Sequence, residues 1–404
     1  MLKNRNILCV SVPSWKANYA STIVELMKKM GAENKVLYVQ NPYTIKDLLS
    51  ALVKKDKKFP FKKVLGLSSG LETHSENNTE VHVLTPPLNL TINFLPQGFV
   101  YDQLLKFNGW LVRQSVKKHL HRLGMNRDLI HIVSFHPLMG VVNGRKFGEN
   151  VLLYHCYDEI GHAHWMKNHG TDYENRFIGH TDAVVFTSQG LLEKKGSLNQ
   201  NSYLVKNGAD ISLFSKAFNI DLPEKKIVGY IGSIDDRLDY DLLEYVAASM
   251  PDTIFQFIGR VVDEKAKSRL EKFDNIQFSG AKKLDELPAF VREFSAGIIP
   301  FVRNEFTKGI YPLKINEYLA AGLPVVSTDF GYLEDFKGII TIARDKEQFK
   351  NGLLDELGRD SNDKRISRQQ VASRNSWDNR AEDLSQVIET TEARLGFKKQ
   401  VYET

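Results

Sequence analysis

After residue 225, short strand-like runs alternate with helix-sized segments, and this alternation limits the possible fold more than any other feature. Six runs are rich in Ile, Val and Phe, and they span residues 226–231, 253–258, 275–278, 296–299, 324–327 and 338–342. A strand, a helix and a further strand form a right-handed βαβ unit, and repeated units build one parallel sheet covered on both faces. We therefore predict a doubly wound α/β domain in this half of the chain.

The residues before 210 alternate in the same way, although less regularly. Strands are predicted at 6–12, 35–40, 81–84, 129–135, 151–156, 183–187 and 203–205, and the clearest helices at 20–30 and 101–123. At 404 residues the chain has room for two domains with full cores. The simplest division is a first domain over 1–210, a second over 211–380 and a C-terminal helix over 381–404.

Composition is that of an ordinary globular protein, and the two cysteines, Cys9 and Cys156, both fall in strand-like runs. A disulfide framework, a secretory leader and a membrane-spanning helix are therefore not expected. These features favour a cytoplasmic location.

Positive charge is concentrated in the first half of the chain. Residues 1–210 hold 26 Lys and Arg against 17 Asp and Glu, whereas the remainder holds 28 against 32. The excess falls largely in two clusters, Lys54, Lys55, Lys57, Lys58, Lys62 and Lys63 in the first and Arg113, Lys117, Lys118 and Arg122 in the second. Each cluster alone is most simply a solvated face, but the two also fit contact with an anionic membrane, at the inner face of the cell membrane. No nucleic-acid partner is expected, because no binding motif for one is present.

The stretch YPLKINEYLAAGLPVVSTDF, residues 311–330, predicts a short helix with a sharply fixed start. Pro312 suits the first helical position, and Gly322 suits the end of the helix. At such a start the amides of Leu313 and Lys314 are free to donate to an anion, and the Lys314 ammonium adds a full positive charge. Glu317 follows one turn later, where a carboxylate could hold paired hydroxyls. The alternative is an ordinary surface pair between Lys314 and Glu317.

Three loops after the preceding strands offer further candidates, because ligands of doubly wound sheets lie beyond the carboxyl ends of the strands. Gly232 lets the backbone approach a ligand closely, and Arg237 offers a forked contact to phosphate or else pairs with a neighbouring aspartate. Lys282 is placed to meet a base or ribose, although an exposed loop lysine is the usual explanation. Gly259 and the arginine after it would be unremarkable alone.

Two familiar nucleotide motifs are absent, since neither G-x-G-x-x-G nor G-x-x-x-x-G-K-[ST] occurs. The D-x-D sequence at Asp239–Asp241 opens a helix rather than a loop, so helix capping explains it better than metal binding. The histidines at 155, 162, 164 and 169 are irregularly spaced and lack an accompanying ligand set. We therefore expect neither a metal nor a cofactor.

These residues together carry a family resemblance. The second half contains Pro-Leu-Lys-x-x-Glu-Tyr-x-Ala-x-Gly-x-Pro-Val-Val at 312–326, and the first half contains Tyr-x-x-x-Asp at 154–158. Shorter matches are Phe186-Thr-Ser188, Asn207-Gly-Ala-Asp210 and Ser376-Trp377. On these motifs the chain resembles bacterial glycosyltransferases of the GT-B fold, in glycosyltransferase family 4.

The resemblance implies two Rossmann-like, doubly wound parallel-sheet domains that face each other across a cleft, with a nucleotide-sugar held mainly by the second. The amides of Leu313 and Lys314 would bind the diphosphate together with Gly232, Ser233 and Arg237. Glu317 would bind the ribose and Lys282 would lie by the base. The last helix would cross back to the first domain.

The sequence departs from the family at three places. In the loop after the first strand of the second half, Ser233 and, one position off, Arg237 stand for the arginine and lysine of the family. The family has two glutamates eight residues apart, and the first of them contacts the sugar. Gly309 stands at that first position, so Lys308 or Tyr311 would have to take over part of its role. Lys206 stands where the hinge of the family has a proline.

The resemblance also suggests retention of anomeric configuration, in which an oxygen of the leaving phosphate accepts the acceptor's proton. Inversion would require a base from the first domain, and Asp158 and His136 are the candidates. His136 also resembles the family position near the sugar, with a purely structural histidine as the alternative. The loop 13–18 is expected to face the acceptor, where Trp15 would stack on a sugar or simply pack, with Asn18 beside it.

We thus predict a metal-independent glycosyltransferase that moves a sugar from a nucleotide-diphosphate-sugar to a glycan or lipid-linked glycan, as in polysaccharide biosynthesis. Two alternatives remain open. One is a non-hydrolysing nucleotide-sugar epimerase on the same fold. The other is a non-catalytic protein that binds carbohydrate or nucleotide.

Overall fold

The computed structural model describes residues 1–16, 21–76, 79–163, 166, 168–219 and 226–396. The chain divides into two compact units, residues 1–206 with 380–404, and residues 207–379. Each unit is built around its own sheet. No helix in the described ranges is both long enough and apolar enough to cross a membrane.

The first unit contains an eight-stranded sheet in the order β3-β4-β2-β1-β5-β6-β7-β8. Its strands are β1 (Asn6–Ser11), β2 (Lys35–Val39), β3 (Leu71–Glu76), β4 (Thr79–Leu84), β5 (Leu129–Ser134), β6 (Val151–Cys156), β7 (Ala183–Phe186) and β8 (Ser202–Leu204). Its helices are α1 (Thr22–Met30), α2 (Ile45–Val53), α3 (Phe61–Val64), α4 (Phe99–Arg122), α5 (Pro137–Asn143), α6 (Gly170–Ile178) and α7 (Gln189–Lys195). All neighbouring strands run parallel except β3 and β4, which are antiparallel.

Strand β3 was not among the sequence predictions. Its sequence, LETHSE, is mostly polar, and most of its residues are exposed or half-exposed. It lies at the edge of the sheet, so it gives neither a buried apolar run nor a clear alternation.

The second unit contains a six-stranded, fully parallel sheet in the order β11-β10-β9-β12-β13-β14. Its strands are β9 (Ile227–Ile231), β10 (Ile254–Ile258), β11 (Ile276–Phe278), β12 (Ala296–Ile299), β13 (Val325–Thr328) and β14 (Thr341–Ala343). Its helices are α8 (Ile211–Phe214), α9 (Tyr240–Ser249), α10 (Glu264–Leu270), α11 (Leu287–Val291), α12 (Glu305–Lys308), α13 (Leu313–Ala320), α14 (Lys346–Arg359) and α15 (Asn362–Ser373). The predicted doubly wound architecture is confirmed. The last strand begins three residues later than predicted, because the chain forms a short 3₁₀ turn over Glu334–Phe336 and reverses at Gly338.

The last helix, α16 (Trp377–Arg394), begins in the second unit and continues into the first. Its buried residues on the first-unit side include Ala381, Leu384 and Ile388. Within the first unit, Arg5 forms a bidentate ion pair with Glu392, in which one N–O distance is 2.8 Å. This helix is therefore part of the core of the first unit.

Candidate functional site

The strand order of the second unit fixes where a ligand would bind. The chain leaves β9 toward β10 and β11 on one side, and continues from β12 toward β13 and β14 on the other. The neighbours β9 and β12 therefore form the topological switch point of the sheet, and ligands of open α/β sheets bind beyond the carboxyl ends of such strands. The loops that start at Gly232 and at Pro300 lie at this point.

Three glycines stack the loops after β9, β10 and β11 against one another. The Gly232 amide donates to the Ile258 carbonyl at 2.8 Å, and the Gly259 amide donates to the Gly280 carbonyl at 3.0 Å. A β-carbon added at Gly259 would lie 1.8 Å from the Gly232 carbonyl oxygen, so no other residue fits there. The sequence reasoning missed the importance of Gly259, although a glycine soon after each of three successive strands was a usable signal.

Gly232 also leaves room for the side chain of Lys314. The φ angle of Gly232 is +145°, and a β-carbon there would lie 2.4 Å from Lys314 Cε and 3.2 Å from Lys314 Nζ. The ammonium group is thus held beside the glycine loop at the switch point. Burial lowers the pKa of Lys314, as does the positive charge of Arg237, while Glu317 opposes them.

Helix α13 is held beside β9 by Tyr318, whose hydroxyl accepts a hydrogen bond from the Ile231 amide at 2.8 Å. The helix begins at Leu313, so Pro312 caps it and is not its first residue as predicted. The Leu313 amide donates to the Tyr311 carbonyl at 3.0 Å. The expectation that both first amides are free is therefore wrong for Leu313.

Glu317 is buried one turn into the same helix, with 7% of its surface exposed. Its carboxyl group makes no hydrogen bond with any part of the chain that the structure describes. Burial raises the pKa of Glu317 to about 7, although the nearby Lys314 charge acts to lower it. A buried carboxylate without a donor partner is costly, and such groups are common at functional sites.

Arg237 pairs with Asp235 in this structure. Its Nε and one terminal nitrogen donate to the two carboxylate oxygens at 2.8 Å and 2.6 Å, and its guanidinium lies 5.7 Å from the centre of the Phe301 ring. The structure thus shows the pairing with a neighbouring aspartate, in a partly buried position, and a phosphate would have to compete with Asp235. The neighbouring Ser233 carbonyl accepts from the Tyr230 hydroxyl at 3.1 Å.

Lys282 follows Gly280 in the loop after β11. Its ammonium nitrogen lies 5.2 Å from the centre of the Phe290 ring. A cation–π contact of this kind at a partly exposed site is weak, so it leaves the lysine available to a ligand.

The remaining predicted residues lie in the first unit. His136, at the carboxyl end of β5, is 5% exposed, and neither of its ring nitrogens has a partner among the described residues. Burial lowers its pKa to about 4, so the ring is neutral at pH 7. Asp158 follows β6, and its Oδ1 accepts from the Glu159 amide at 2.8 Å.

Trp15 packs against other aromatic rings of the first unit. Its ring centre lies 5.1 Å from that of Tyr38, edge to face, and 5.9 Å from that of His74. The structure therefore shows Trp15 packed inside the first unit, which is the alternative to stacking on a sugar. Asn18 lies outside the described residues.

A buried charge network supports the Asp158 segment, and it was not predicted. The Lys195 ammonium donates to Glu159 at 2.9 Å and to Glu174 at 2.6 Å, and all three residues are buried. The Tyr154 hydroxyl donates to Glu174 at 2.6 Å. The tyrosine of the Tyr-x-x-x-Asp motif thus holds β6 against this network.

A polar row also crosses the carboxyl edge of the first sheet. Ser11, Ser134 and His155 occupy neighbouring register positions on β1, β5 and β6. The Ser134 hydroxyl lies 2.9 Å from His155 Nδ1. Burial lowers the pKa of His155 to about 4, which keeps it neutral.

One part of the chain matches a known protein family. Residues 225–358 match the family described as "Glycosyl transferases group 1". The chain is 28% identical over 170 residues to TuaH of Bacillus subtilis (strain 168), a protein assigned to teichuronic acid biosynthesis as a glycosyltransferase. This match covers 39% of the chain and 42% of TuaH, so it spans less than half of the relative.

Solved structures resemble the chain over nearly its whole length. Sucrose-phosphate synthase from Thermosynechococcus elongatus has a TM-score of 0.65 at 15% identity, covering 96% of this chain and 100% of that one. Anabaena Alr3699/HepE, solved with UDP and glucose, has a TM-score of 0.60 at 14% identity, again covering 96% and 100%. At such identities the likeness concerns the fold alone. The chain therefore has the fold of the GT-B glycosyltransferases, and residues 225–358 match the family described as glycosyl transferases group 1.

Proposed function

We propose that the chain transfers a sugar from a nucleotide-diphosphate-sugar to a glycan or a lipid-linked glycan precursor, in polysaccharide biosynthesis. The observation that carries this proposal is the grouping of Gly232, Lys314 and Glu317 at the switch point of the second sheet. The relative TuaH, assigned to teichuronic acid biosynthesis, supports a polysaccharide product.

The donor diphosphate would lie at the start of α13. Lys314 supplies an ammonium group beside the open backbone at Gly232, and the helix start adds partial positive charge. Glu317, buried and without a donor partner in the described ranges, would accept hydrogen bonds from the ribose hydroxyls. Arg237 and Ser233 border the same loop, and Lys282 would lie toward the base.

Transfer requires stabilisation of the negative charge that develops on the leaving diphosphate. Lys314 and the α13 start supply it, so no metal ion is needed for this step in the proposal. With retention, an oxygen of the leaving phosphate takes the proton of the acceptor hydroxyl. Asp158 and His136 in the first unit are the candidates for assisting groups; His136 is neutral and can therefore accept or donate a hydrogen bond.

A thermal-shift screen of UDP-, GDP- and ADP-sugars tests the donor site. A donor at about a hundred times its dissociation constant should stabilise the protein by roughly 2.7 kcal/mol. The shift should disappear in Glu317→Ala and persist in Glu293→Ala, a matched exposed glutamate of the same unit. If no nucleotide-sugar stabilises the wild-type protein, the proposal is wrong.

Product analysis separates the proposal from its alternatives. Release of the nucleoside diphosphate together with a glycan one sugar larger indicates transfer. A donor recovered with an inverted sugar centre and no larger glycan would indicate an epimerase. Binding without turnover, unaffected by Asp158→Asn or His136→Ala, would indicate a non-catalytic protein.

We also propose contact with an anionic membrane, at the inner face of the cell membrane. Helix α2 exposes Leu49, Leu52 and Val53 by 57%, 55% and 84% of their surfaces. A helix this apolar would normally bury these side chains. The exposed lysines that follow it, Lys54, Lys55, Lys57 and Lys58, complement the negative charge of a cytoplasmic leaflet.

Sedimentation with vesicles tests this contact. The protein should bind vesicles containing phosphatidylglycerol and not pure phosphatidylcholine vesicles. Each lysine near the surface contributes about 1 kcal/mol, so a variant with all four lysines changed to Gln should bind at least about a hundredfold more weakly. Leu49→Gln with Leu52→Gln should also weaken binding, whereas Leu354→Gln, an equally exposed leucine of the second unit, should not. Equal binding to both kinds of vesicle would contradict the proposal.

A further inference from the structure

Helix α4 exposes two neighbouring aromatic rings to solvent. Phe107 and Trp110 are 44% and 45% exposed, and their ring centres lie 6.0 Å apart with the ring planes at 25°. Nearly parallel rings at this separation are offset from each other, so together they present a flat apolar surface. Neighbouring exposed rings of this kind often mark a binding surface.

Polar side chains continue the ring pair in both directions along the helix. Gln103, Phe107, Trp110 and Gln114 stand at i, i+4, i+7 and i+11, so they lie on one side of the helix, and all four are exposed. We call these four residues the α4 stripe, which is about 16 Å long at the rise of an α-helix. Within the part of the chain that the structure describes, neither glutamine side chain has a hydrogen-bond partner.

The helix is fixed in place behind the ring pair. The two residues between the rings, Asn108 and Gly109, are buried. The Asn108 side chain accepts from the Leu90 amide at 2.9 Å and donates to the Leu90 carbonyl at 3.0 Å. A β-carbon at Gly109 would lie 2.4 Å from a methyl carbon of Val142, so glycine allows α4 to approach α5 closely. The rings are therefore already in position before a ligand arrives, which reduces the entropy cost of binding.

The α4 stripe lies beside the first sheet and not beyond the carboxyl ends of its strands. After Arg122 the chain runs directly into the amino end of β5, which begins at Leu129. The carboxyl half of α4 therefore points toward the amino end of the sheet, and the stripe covers the middle of the helix. A ligand on the stripe would thus be bound outside the loops that follow the strands.

Unpaired positive charge surrounds the α4 stripe. Four exposed cations of the helix form no ion pair within the described ranges, and they are Lys106, Lys117, Lys118 and Arg122. The helix has one acidic residue, Asp102, and its carboxylate accepts a hydrogen bond from the Tyr173 hydroxyl. Charge complementarity therefore favours an anionic partner.

The composition of this surface suits a polysaccharide. A sugar ring has an apolar C–H face that packs on an aromatic ring, and its hydroxyl edge exchanges hydrogen bonds with amides such as those of Gln103 and Gln114. Acid groups along the sugar chain would meet the lysines and the arginine around the stripe. A single chain of sugars can therefore use the rings, the amides and the cations at the same time.

A lipid bilayer fits the same surface less well. The exposed Phe99 and Val100 at the start of α4 are separated from the ring pair by Gln103 and Lys106, so the apolar side chains form no continuous face. Insertion of the rings would also remove the two glutamine amides from water without giving them a partner, which is costly.

We infer that the α4 stripe binds a segment of an anionic polysaccharide, with Phe107 and Trp110 as the stacking surface. The inference goes beyond the proposed function, because the stripe belongs to the first unit and contains no residue of the donor site. For a transferase, such a site would keep the enzyme on the polymer between successive transfers.

Isothermal titration calorimetry with hexasaccharides of polygalacturonate, polymannuronate and hyaluronan is the direct test, with maltohexaose as the neutral comparison. At least one anionic hexasaccharide should bind, and maltohexaose should bind more weakly. Trp110→Ala should weaken binding at least about tenfold, because a central tryptophan usually carries much of the binding energy. Trp110→Phe keeps an aromatic ring and should retain most of the affinity. The side chain is exposed, so an unchanged melting temperature should show that both variants are folded.

A second pair of variants tests the charge. Lys117→Gln with Lys118→Gln should weaken binding by about threefold or more at low ionic strength and have less effect at high salt. Lys265→Gln with Lys272→Gln makes the same change of charge at exposed positions of the second unit and should have no effect. Phe94→Ala removes a ring that is 72% exposed and lies outside α4, and it should also leave binding unchanged.

The inference is overturned if none of the anionic hexasaccharides binds, or if Trp110→Ala binds them as well as the wild type does. It is also overturned if Trp110→Ala loses its binding to phosphatidylglycerol vesicles, since α4 would then be part of the membrane contact. Failure of the proposed function looks different. In that case nucleotide-sugars give no thermal shift with the wild type, whereas Trp110→Ala alone should leave such a shift unchanged.

Discussion

The ionised carboxylate of Glu317 should lower the free energy of unfolding at the pH where it would bind a ligand. Burial raises its pKa to about 7, whereas an unfolded glutamate titrates near 4.5. Between these values the folded protein holds a proton that the unfolded chain has lost, so stability falls as pH rises from 4.5 to 7. A difference of about 2.5 units corresponds to roughly 3 kcal/mol. Glu317→Gln removes the ionisation and keeps the shape.

We therefore expect Glu317→Gln to match the wild type at pH 4.5 and to be more stable at pH 8, by at most about 3 kcal/mol. The same variant should bind nucleotide-sugar more weakly at pH 8, since it offers a neutral amide to the ribose. Urea unfolding at both pH values measures the first effect, and the thermal shift measures the second.

Glu293→Gln is the matched control, because its carboxyl is exposed and should give the same small difference at both pH values. The reasoning is refuted if Glu317→Gln is less stable than the wild type at pH 8. It is also refuted if the difference between the two proteins does not change with pH.

Three further changes have definite expected outcomes. Gly259→Ala should lower the free energy of unfolding by at least about 2 kcal/mol and abolish the nucleotide-induced shift, because its β-carbon would lie 1.8 Å from a backbone oxygen. Lys195→Met should cost about 3–5 kcal/mol in urea unfolding, since it leaves the buried carboxylates of Glu159 and Glu174 without their shared cation. Burial lowers the pKa of His155 to about 4 in the folded protein, so the wild type should lose about 3 kcal/mol of unfolding free energy as pH falls from 6.5 to 4. His155→Asn should remove this part of the pH dependence.

Each of these changes has a control in the chain. Gly358→Ala, with open space at its β-carbon, should be neutral or stabilising. Lys194 pairs with the same Glu159, but its side chain is 56% exposed. Lys194→Met should therefore lower the free energy of unfolding by less than about 1 kcal/mol. His121→Asn, on an exposed face, should leave the acid slope unchanged. Equal effects of a variant and its control would contradict the corresponding explanation.

The regular part of the fold follows from the sequence because buried parallel strands are mostly apolar. β9, β10, β12 and β13 were found on this basis. Pro312 indicates the start of α13 to within one residue. Lys314 and Glu317 are candidates from the sequence because they lie in the first turns of that helix.

The sequence could not show which partner each polar side chain takes. Arg237 pairs with Asp235, two residues away, which spacing alone left open. Lys195 and Glu174 are separated by 21 positions and meet only through the packing of α6 and α7. The exposure of Leu49 and Leu52 was also unpredictable, because an apolar helix is ordinarily taken to face a core.

Helix α16 has a consequence for how this protein is made. Residues 380–394 complete the core of the unit that also contains β1, through contacts such as Arg5 with Glu392 and the Ser385 hydroxyl near Met30. On the ribosome, domains generally fold in the order in which they emerge. Here the unit formed by residues 207–379 needs no later part of the chain, whereas the first unit still lacks helix α16. The unit whose synthesis begins first is therefore the one whose packing is completed last. A chain that ends at residue 379 should accordingly expose apolar surface of its first unit, although all residues of the second unit are present.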